Sequence, residues 1–219
     1  MSNVILIGNG PSVKNHEFGD LIDSYETVVR FNWYHIDGYE KYVGTKTDVW
    51  FTSVFDPVRA KGDHDIFEHS WCWNAREDKT LKQFKDAGFK CWKTFQKLIY
   101  DMRKYMRRKQ GMVQMAALPG KEYEVWSTGA LAAWWFLHEK RFNYSATAGY
   151  PPAPSCDKIH MFGFDWWDMD SNDYHHYGDA QTVGKNHKPK LELELFQHLH
   201  EDGKIYDLNP DSEFHEFYE

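Results

Sequence analysis

The chain has 219 residues, 42% apolar and 27% charged, so it can bury a core and reads as neither a coiled coil nor a disordered segment. Its formal charge of −7 argues against a surface coated for nucleic acid, and no window nears the ~18 uninterrupted apolar residues of a membrane span. Cysteine stands only at Cys72, Cys91 and Cys156, which is no disulfide framework, so a reducing, cytoplasmic setting is expected.

Val4-Ile5-Leu6-Ile7 is apolar throughout and ends at Gly8-Asn9-Gly10-Pro11-Ser12, the pattern of a buried strand entering a tight loop. Two similar runs follow, Thr27 to Phe31 stopping at Asn32 and Asp48 to Thr52 stopping at Ser53. Between 76 and 110, twelve Lys/Arg stand against four Asp/Glu, a local +8 that leaves −15 for the rest of the chain. Within that stretch Phe95 to Met106 spaces its apolar groups as a helix does. The region from about 55 to 120 therefore reads as a basic helical insertion over the mouth of the sheet. Its charge serves a solvated face, a lid on an anionic ligand, or a peripheral contact with an anionic membrane or glycan.

Further on, Ser127-Thr128-Gly129-Ala130 opens a helix predicted to reach Lys140. Lys158 to Phe162 is strand-like and ends in Gly163-Phe164-Asp165. Lys188-Pro189 marks a helix start, since proline suits the first helical position, and that helix runs to about His200. Lys204 to Leu208 is a last strand, ending in Asn-Pro. Apolar strands separated by helices predict an α/β fold, a Rossmann-like parallel sheet covered on both faces, in one domain over residues 1–219.

Such sheets bind ligands beyond the carboxyl ends of their strands. Gly8 and Gly10 there would let backbone amides approach a phosphate, and Asn9, Ser12 and Asn32 would add neutral donors. The third glycine of a dinucleotide fingerprint is missing and no lysine follows as in a P-loop, so the alternative is a tight turn without a ligand. Ser127 is a good N-cap, and the first turn behind it either attracts an anion or is simply capped. His175, His176 and His187 flank Tyr177-Gly178-Asp179. His187 precedes a helix start, where the positive dipole end disfavours the imidazolium and leaves a neutral base. Asp165, Asp168, Asp170 and Asp173 read better as a solvated acidic loop than as a metal site, so no metal is expected.

Several of these motifs follow one order. Val4 to Gly10, then Val29-Arg30-Phe31-Asn32, then Val43-Gly44-Thr45-Lys46-Thr47-Asp48 resemble the large sialylmotif of glycosyltransferase family 29. Gly10-Pro11-Ser12 within it is similar to the loop of the bacterial family 42 enzymes. Ser127 to Leu131 with Cys156 to Phe164 resembles the small sialylmotif, His176-Tyr177-Gly178-Asp179 the third motif, and His187 with Glu192 the very small motif. The stretch from about 55 to 120 is not covered by the resemblance.

The resemblance implies a sialyltransferase, a single-domain, metal-independent GT-A variant. It would move sialic acid, or a related ulosonic acid, from a CMP-activated donor to a glycan hydroxyl, with inversion. Asn9, Gly10, Ser12 and Asn32 would contact the nucleotide and its phosphate, and Ser127, Thr128, Gly129 and Tyr177 would line the rest of the donor pocket. His176 would bind the departing phosphate and His187 would be the catalytic base. Val4 stands where animal members carry the partner of Cys156, and no amino-terminal anchor or stem is seen; both point to a microbial or viral enzyme in the cytoplasm. Gly178 in place of the usual second tyrosine removes a phosphate contact there. The rivals are a transferase using CMP-Kdo or, with Asp168 and Asp170 on a metal, a UDP-sugar, and a non-catalytic module binding a nucleotide or glycan.

Overall fold

The computed structural model describes residues 3–53, 64–68, 82–93, 96–111, 126–142, 155–166, 176 and 189–215. Among these residues seven strands, β1 (Val4–Ile7), β2 (Thr27–Phe31), β3 (Val49–Thr52), β4 (Asp65–Glu68), β5 (Cys91–Lys93), β6 (Ile159–Phe162) and β7 (Ile205–Asp207), form one sheet in the order β5-β4-β3-β2-β1-β6-β7. Every neighbouring pair is parallel. The expected α/β class and parallel sheet are what the chain adopts.

Strand periodicity separates the two cores. Val4 and Leu6 point to one face and Ile5 and Ile7 to the other. On the first face they pack with α3 (Gln96–Lys109), α4 (Thr128–Phe142) and α5 (Pro189–Glu201), through Leu98, Met102, Trp135, Leu195 and Phe196. On the second they meet Ile22 of α1 (Gly19–Asp23) and Val43 of α2 (Glu40–Val43). Both faces are covered, which is why the strands are apolar at every position rather than at alternate ones.

One charged side chain lies inside the second face. Arg30 on β2 is 1% exposed. Its Nε donates to Lys46 O and Thr47 Oγ1, both at 3.0 Å, and its Nη2 donates to Val43 O at 2.7 Å and Gly44 O at 3.2 Å. The planar guanidinium thus satisfies the carbonyls at the end of α2 and the turn after it. Burial holds its pKa down at about 10.

The strand order fixes where a ligand fits. Connections lead outward from β1 to β5, and the chain then returns to place β6 on the other side of β1. Between β1 and β6 the direction of winding reverses, and the crevice of an open sheet lies outside the carboxyl ends of such a pair.

The stretch from about 55 to 120 differs from the expectation. It supplies β4 and β5, so part of it extends the sheet instead of inserting into the fold. Nor does the basic helix sit over the mouth. Leu98, Met102 and Met106 of α3 are buried in the core, and Tyr105 packs on Trp134 of α4 at 5.2 Å. Tyr105 Oη and Lys109 Nζ donate to Asp202 at 2.7 and 2.6 Å. Asp202 follows α5, which has run back to the amino edge of the sheet where β7 begins. The basic last turn Arg107-Arg108-Lys109 is therefore at the edge opposite the crevice. Among the described residues, no helix is long and apolar enough to cross a membrane.

Candidate functional site

The loop after β1 is bound to the loop after β6. Gly8 N donates to Phe162 O at 2.8 Å and Gly10 N to Gly163 O at 3.0 Å. The two amides expected to face a phosphate are thus engaged by the protein itself. Glycine is needed there for close approach: a Cβ on Gly8 would stand 2.7 Å from the carbonyl carbon of Gly163 and nearer still to its oxygen. Gly129 has the same reason, since a Cβ would come 2.7 Å from Cε1 of Phe164. Asp165, expected in a solvated acidic loop, instead receives Ser12 N at 2.8 Å and the Ser12 hydroxyl. It caps the 3-10 turn Pro11–Asn15 and occupies the side chain that was to contact the nucleotide.

Asn9, Asn32 and Thr128 are brought together. Asn9 Nδ2 donates to Phe31 O at 3.3 Å, beside Asn32. Asn32 Nδ2 donates to Thr128 Oγ1 at 3.2 Å, and its Oδ1 accepts Ser53 N at 3.0 Å and the Ser53 hydroxyl at 3.1 Å. Its carbonyl accepts Trp50 Nε1 at 2.7 Å. The backbone of Asn32 is left-handed, with φ of 46°, a region asparagine enters more readily than most residues. Strain of this kind, fixed by several bonds, collects at ligand sites. Ser53 was recognised only as a strand end, because serine after a strand has no distinctive sequence signal.

Ser127 caps α4 through Oγ, which accepts Ala130 N at 3.1 Å. Its own N–H donates to Glu192 Oε1 at 2.5 Å. Glu192 lies in the first turn of α5, so this one carboxyl joins the starts of both helices. It is 5% exposed, and burial pushes its pKa up to about 7, against the opposing pull of the Ser127 bonds. In the unfolded chain it ionises near 4.5, so the native state holds the proton more tightly between the two values. Stability is therefore full below about 4.5 and falls as pH rises to about 7, by up to about 3 kcal/mol. Glu192→Gln, which keeps an acceptor for Ser127 N, is expected to flatten that decline in urea unfolding across this window. Asp207, pushed up to about 6 by burial, keeps its own share of the slope in both proteins. An unchanged difference between wild type and variant at every pH would assign the titration elsewhere.

His176 is buried beside Asn9. Its ring nitrogens lie 3.2 Å from Asn9 O and 3.0 Å from His35 O, so both atoms that a phosphate would use are engaged by main-chain carbonyls. His187, Tyr177, Asp168 and Asp170 lie outside the described residues. Among the described residues, no group of three His, Cys, Asp or Glu is placed to hold a metal. Cys91 and Cys156 are buried, and burial pushes the thiol of Cys156 up to about 12, away from any nucleophilic role.

Residues 2–94 match glycosyltransferase family 29 (sialyltransferase). The match runs through β4 and β5, so the family likeness reaches into the stretch from about 55 to 120 that the sequence motifs leave uncovered. A β-1,6-galactosyltransferase of Arabidopsis thaliana is 41% identical over 46 residues, 21% of this chain and 12% of that protein. The human CMP-N-acetylneuraminate-β-1,4-galactoside α-2,3-sialyltransferase is 44% identical over 48 residues, 22% of this chain and 13% of that protein. The aligned stretch is thus about an eighth of the length of these relatives. A crystal structure of a mammalian sialyltransferase in complex with Gal-β-1-3GalNAc-ortho-nitrophenol superposes on 94% of this chain and 69% of its own, with a TM-score of 0.61 at 17% identity. At that identity the likeness is one of fold.

Proposed function

We propose that this glycosyltransferase family 29-like chain is a single-domain GT-A variant that transfers sialic acid, or a related ulosonic acid, from a CMP-activated donor to a glycan hydroxyl. The observation that carries the reading is the convergence of Asn9, Asn32, Ser53 and Thr128 at the carboxyl ends of β1, β2 and β3, beside the capped start of α4. Neutral donors and a helix start suit a nucleotide monophosphate.

In the proposed reaction His187 takes the proton of the acceptor hydroxyl as its oxygen attacks the anomeric carbon. The bond from that carbon to the phosphate oxygen breaks on the opposite side, and CMP departs with the electron pair, inverting the centre. Hydrogen-bond donors aimed at the phosphate stabilise the developing charge. The leaving group carries a single phosphate, so the reading expects no metal to neutralise it. The test is calorimetric titration with CMP, with and without EDTA: CMP uptake that ignores the chelator supports it.

A second reading, a transferase using another nucleotide sugar, is favoured by the galactosyltransferase among the relatives. UDP binding in place of CMP, or loss of activity with chelator, selects it. Neutralising Lys104, Arg107 and Arg108 together is expected to leave the acceptor KM within about twofold, since this turn of α3 sits at the far edge of the sheet. A larger rise would bring α3 back into acceptor binding.

A further inference from the structure

The basic charge of α3 takes no part in the proposed reaction. Between Gln96 and Lys109 stand six Lys/Arg against one acid, Asp101. Helical spacing sorts these side chains between two sides. Leu98, Met102 and Met106 are buried in the core, and Tyr105 lies on the same side against Trp134. Lys109 also turns inward, to Asp202. On the opposite side Tyr100, Lys104 and Arg108, each four residues from the next, are exposed, and Arg107 is half-buried beside them. Asp101 stands to one side of this stripe and is half-buried. The acids where α3 meets α5 are engaged there, Asp202 by Tyr105 and Lys109 and Glu194 by Gln110. The outward stripe is therefore basic, with an aromatic ring at its amino end.

We propose that this face of α3 docks on the surface of an anionic lipid bilayer. A negatively charged leaflet attracts a basic patch without needing a matching shape. The residues outside 76–110 carry −15, which repels a flexible polyanion such as RNA from wrapping the molecule but leaves one basic face able to lie on a membrane. Tyr100, 47% exposed, suits the headgroup layer, where a ring with one polar end sits between oil and water. Because the apolar side of α3 is held in the protein core, the contact is shallow and electrostatic, unlike that of an inserted amphipathic helix. The basic last turn lies at the edge opposite the crevice, so a bilayer bound there leaves the crevice open to substrate. Docking of this kind is independent of which nucleotide sugar the crevice takes.

Co-sedimentation of the full chain with vesicles tests it. Binding is expected to phosphatidylcholine vesicles with about 30% phosphatidylserine and not to phosphatidylcholine alone, and to fall at least about tenfold from about 50 to about 200 mM salt. Each exposed cation near such a surface contributes about fivefold, so Lys104→Gln with Arg108→Gln is expected to weaken binding about 25-fold. Lys82→Gln with Lys90→Gln removes the same charge from two exposed lysines elsewhere, and is expected to leave binding within about twofold. No uptake by the anionic vesicles, the same loss in both double variants, or RNA binding as tight as vesicle binding overturns the proposal.

Discussion

Gly8→Ala is expected to destabilise the protein by at least about 3 kcal/mol, or to leave it unable to fold, well above the typical cost of an added methyl group in a packed core. The new Cβ would stand 2.7 Å from the carbonyl carbon of Gly163 and nearer its oxygen, and both are main-chain atoms with no rotamer to yield. Nor does Gly163 have room to retreat. Its φ of 77° confines it to glycine geometry, and a side-chain methyl of Val13 crowds its other side. The bond from Gly8 N to Phe162 O would open as the strands part, in the middle of the sheet. Gly88→Ala is the control: it has φ of 89° but open space around it, so it is expected to cost only the backbone strain, ~1 kcal/mol. Chemical denaturation of both variants checks the contrast. Equal losses would mean that the close contact at Gly8 costs no more than the backbone strain at Gly88.

The second large effect is kinetic. His187→Ala is expected to lower turnover by at least ~10²-fold while CMP binding stays within about threefold. A general base contributes to the transition state and little to the ground state, so its removal appears in kcat rather than in donor affinity. A non-catalytic binding module predicts no such split. Single-turnover rates beside calorimetric CMP affinities decide the matter: an unchanged rate removes the base assignment, and a parallel loss of binding turns position 187 into a donor contact.

How far the sequence spoke depended on how local each signal was. The Lys188-Pro189 start of α5 and the Ser127 cap of α4 are carried by one or two residues, and both were placed within a residue of their position. β1, β2, β3, β6 and β7 announced themselves by apolar runs ending in polar turns. β4 and β5 did not. Asp65-Ile66-Phe67-Glu68 has two apolar residues between acids, and β5 spans only Cys91–Lys93 beside lysines. Their strand character comes from pairing, β4 with β3 and β5 with β4, long-range contacts that no short window contains. The charge of α3 was visible from the sequence, but its direction was not, because it takes the contacts of Tyr105 and Lys109 with Asp202 to show which edge it reaches. In the site, Asn9, Asn32 and Thr128 were found through their strand and helix ends. Asp165 was missed because an acid that bonds Ser12 across 153 positions looks, in sequence, like any other acid in an acidic loop.

Arg30 carries a consequence for behaviour in salt. Its charge is solvated by four uncharged oxygens, three main-chain carbonyls and a threonine hydroxyl, and among the described residues no carboxylate bonds it directly. Dissolved ions weaken exposed charge pairs but reach a buried cation among dipoles poorly. The end of α2 and the Lys46–Thr47 turn, which feed β3 into the sheet, are accordingly set to keep their shape at ionic strengths that loosen surface pairs such as Lys41 with Glu17.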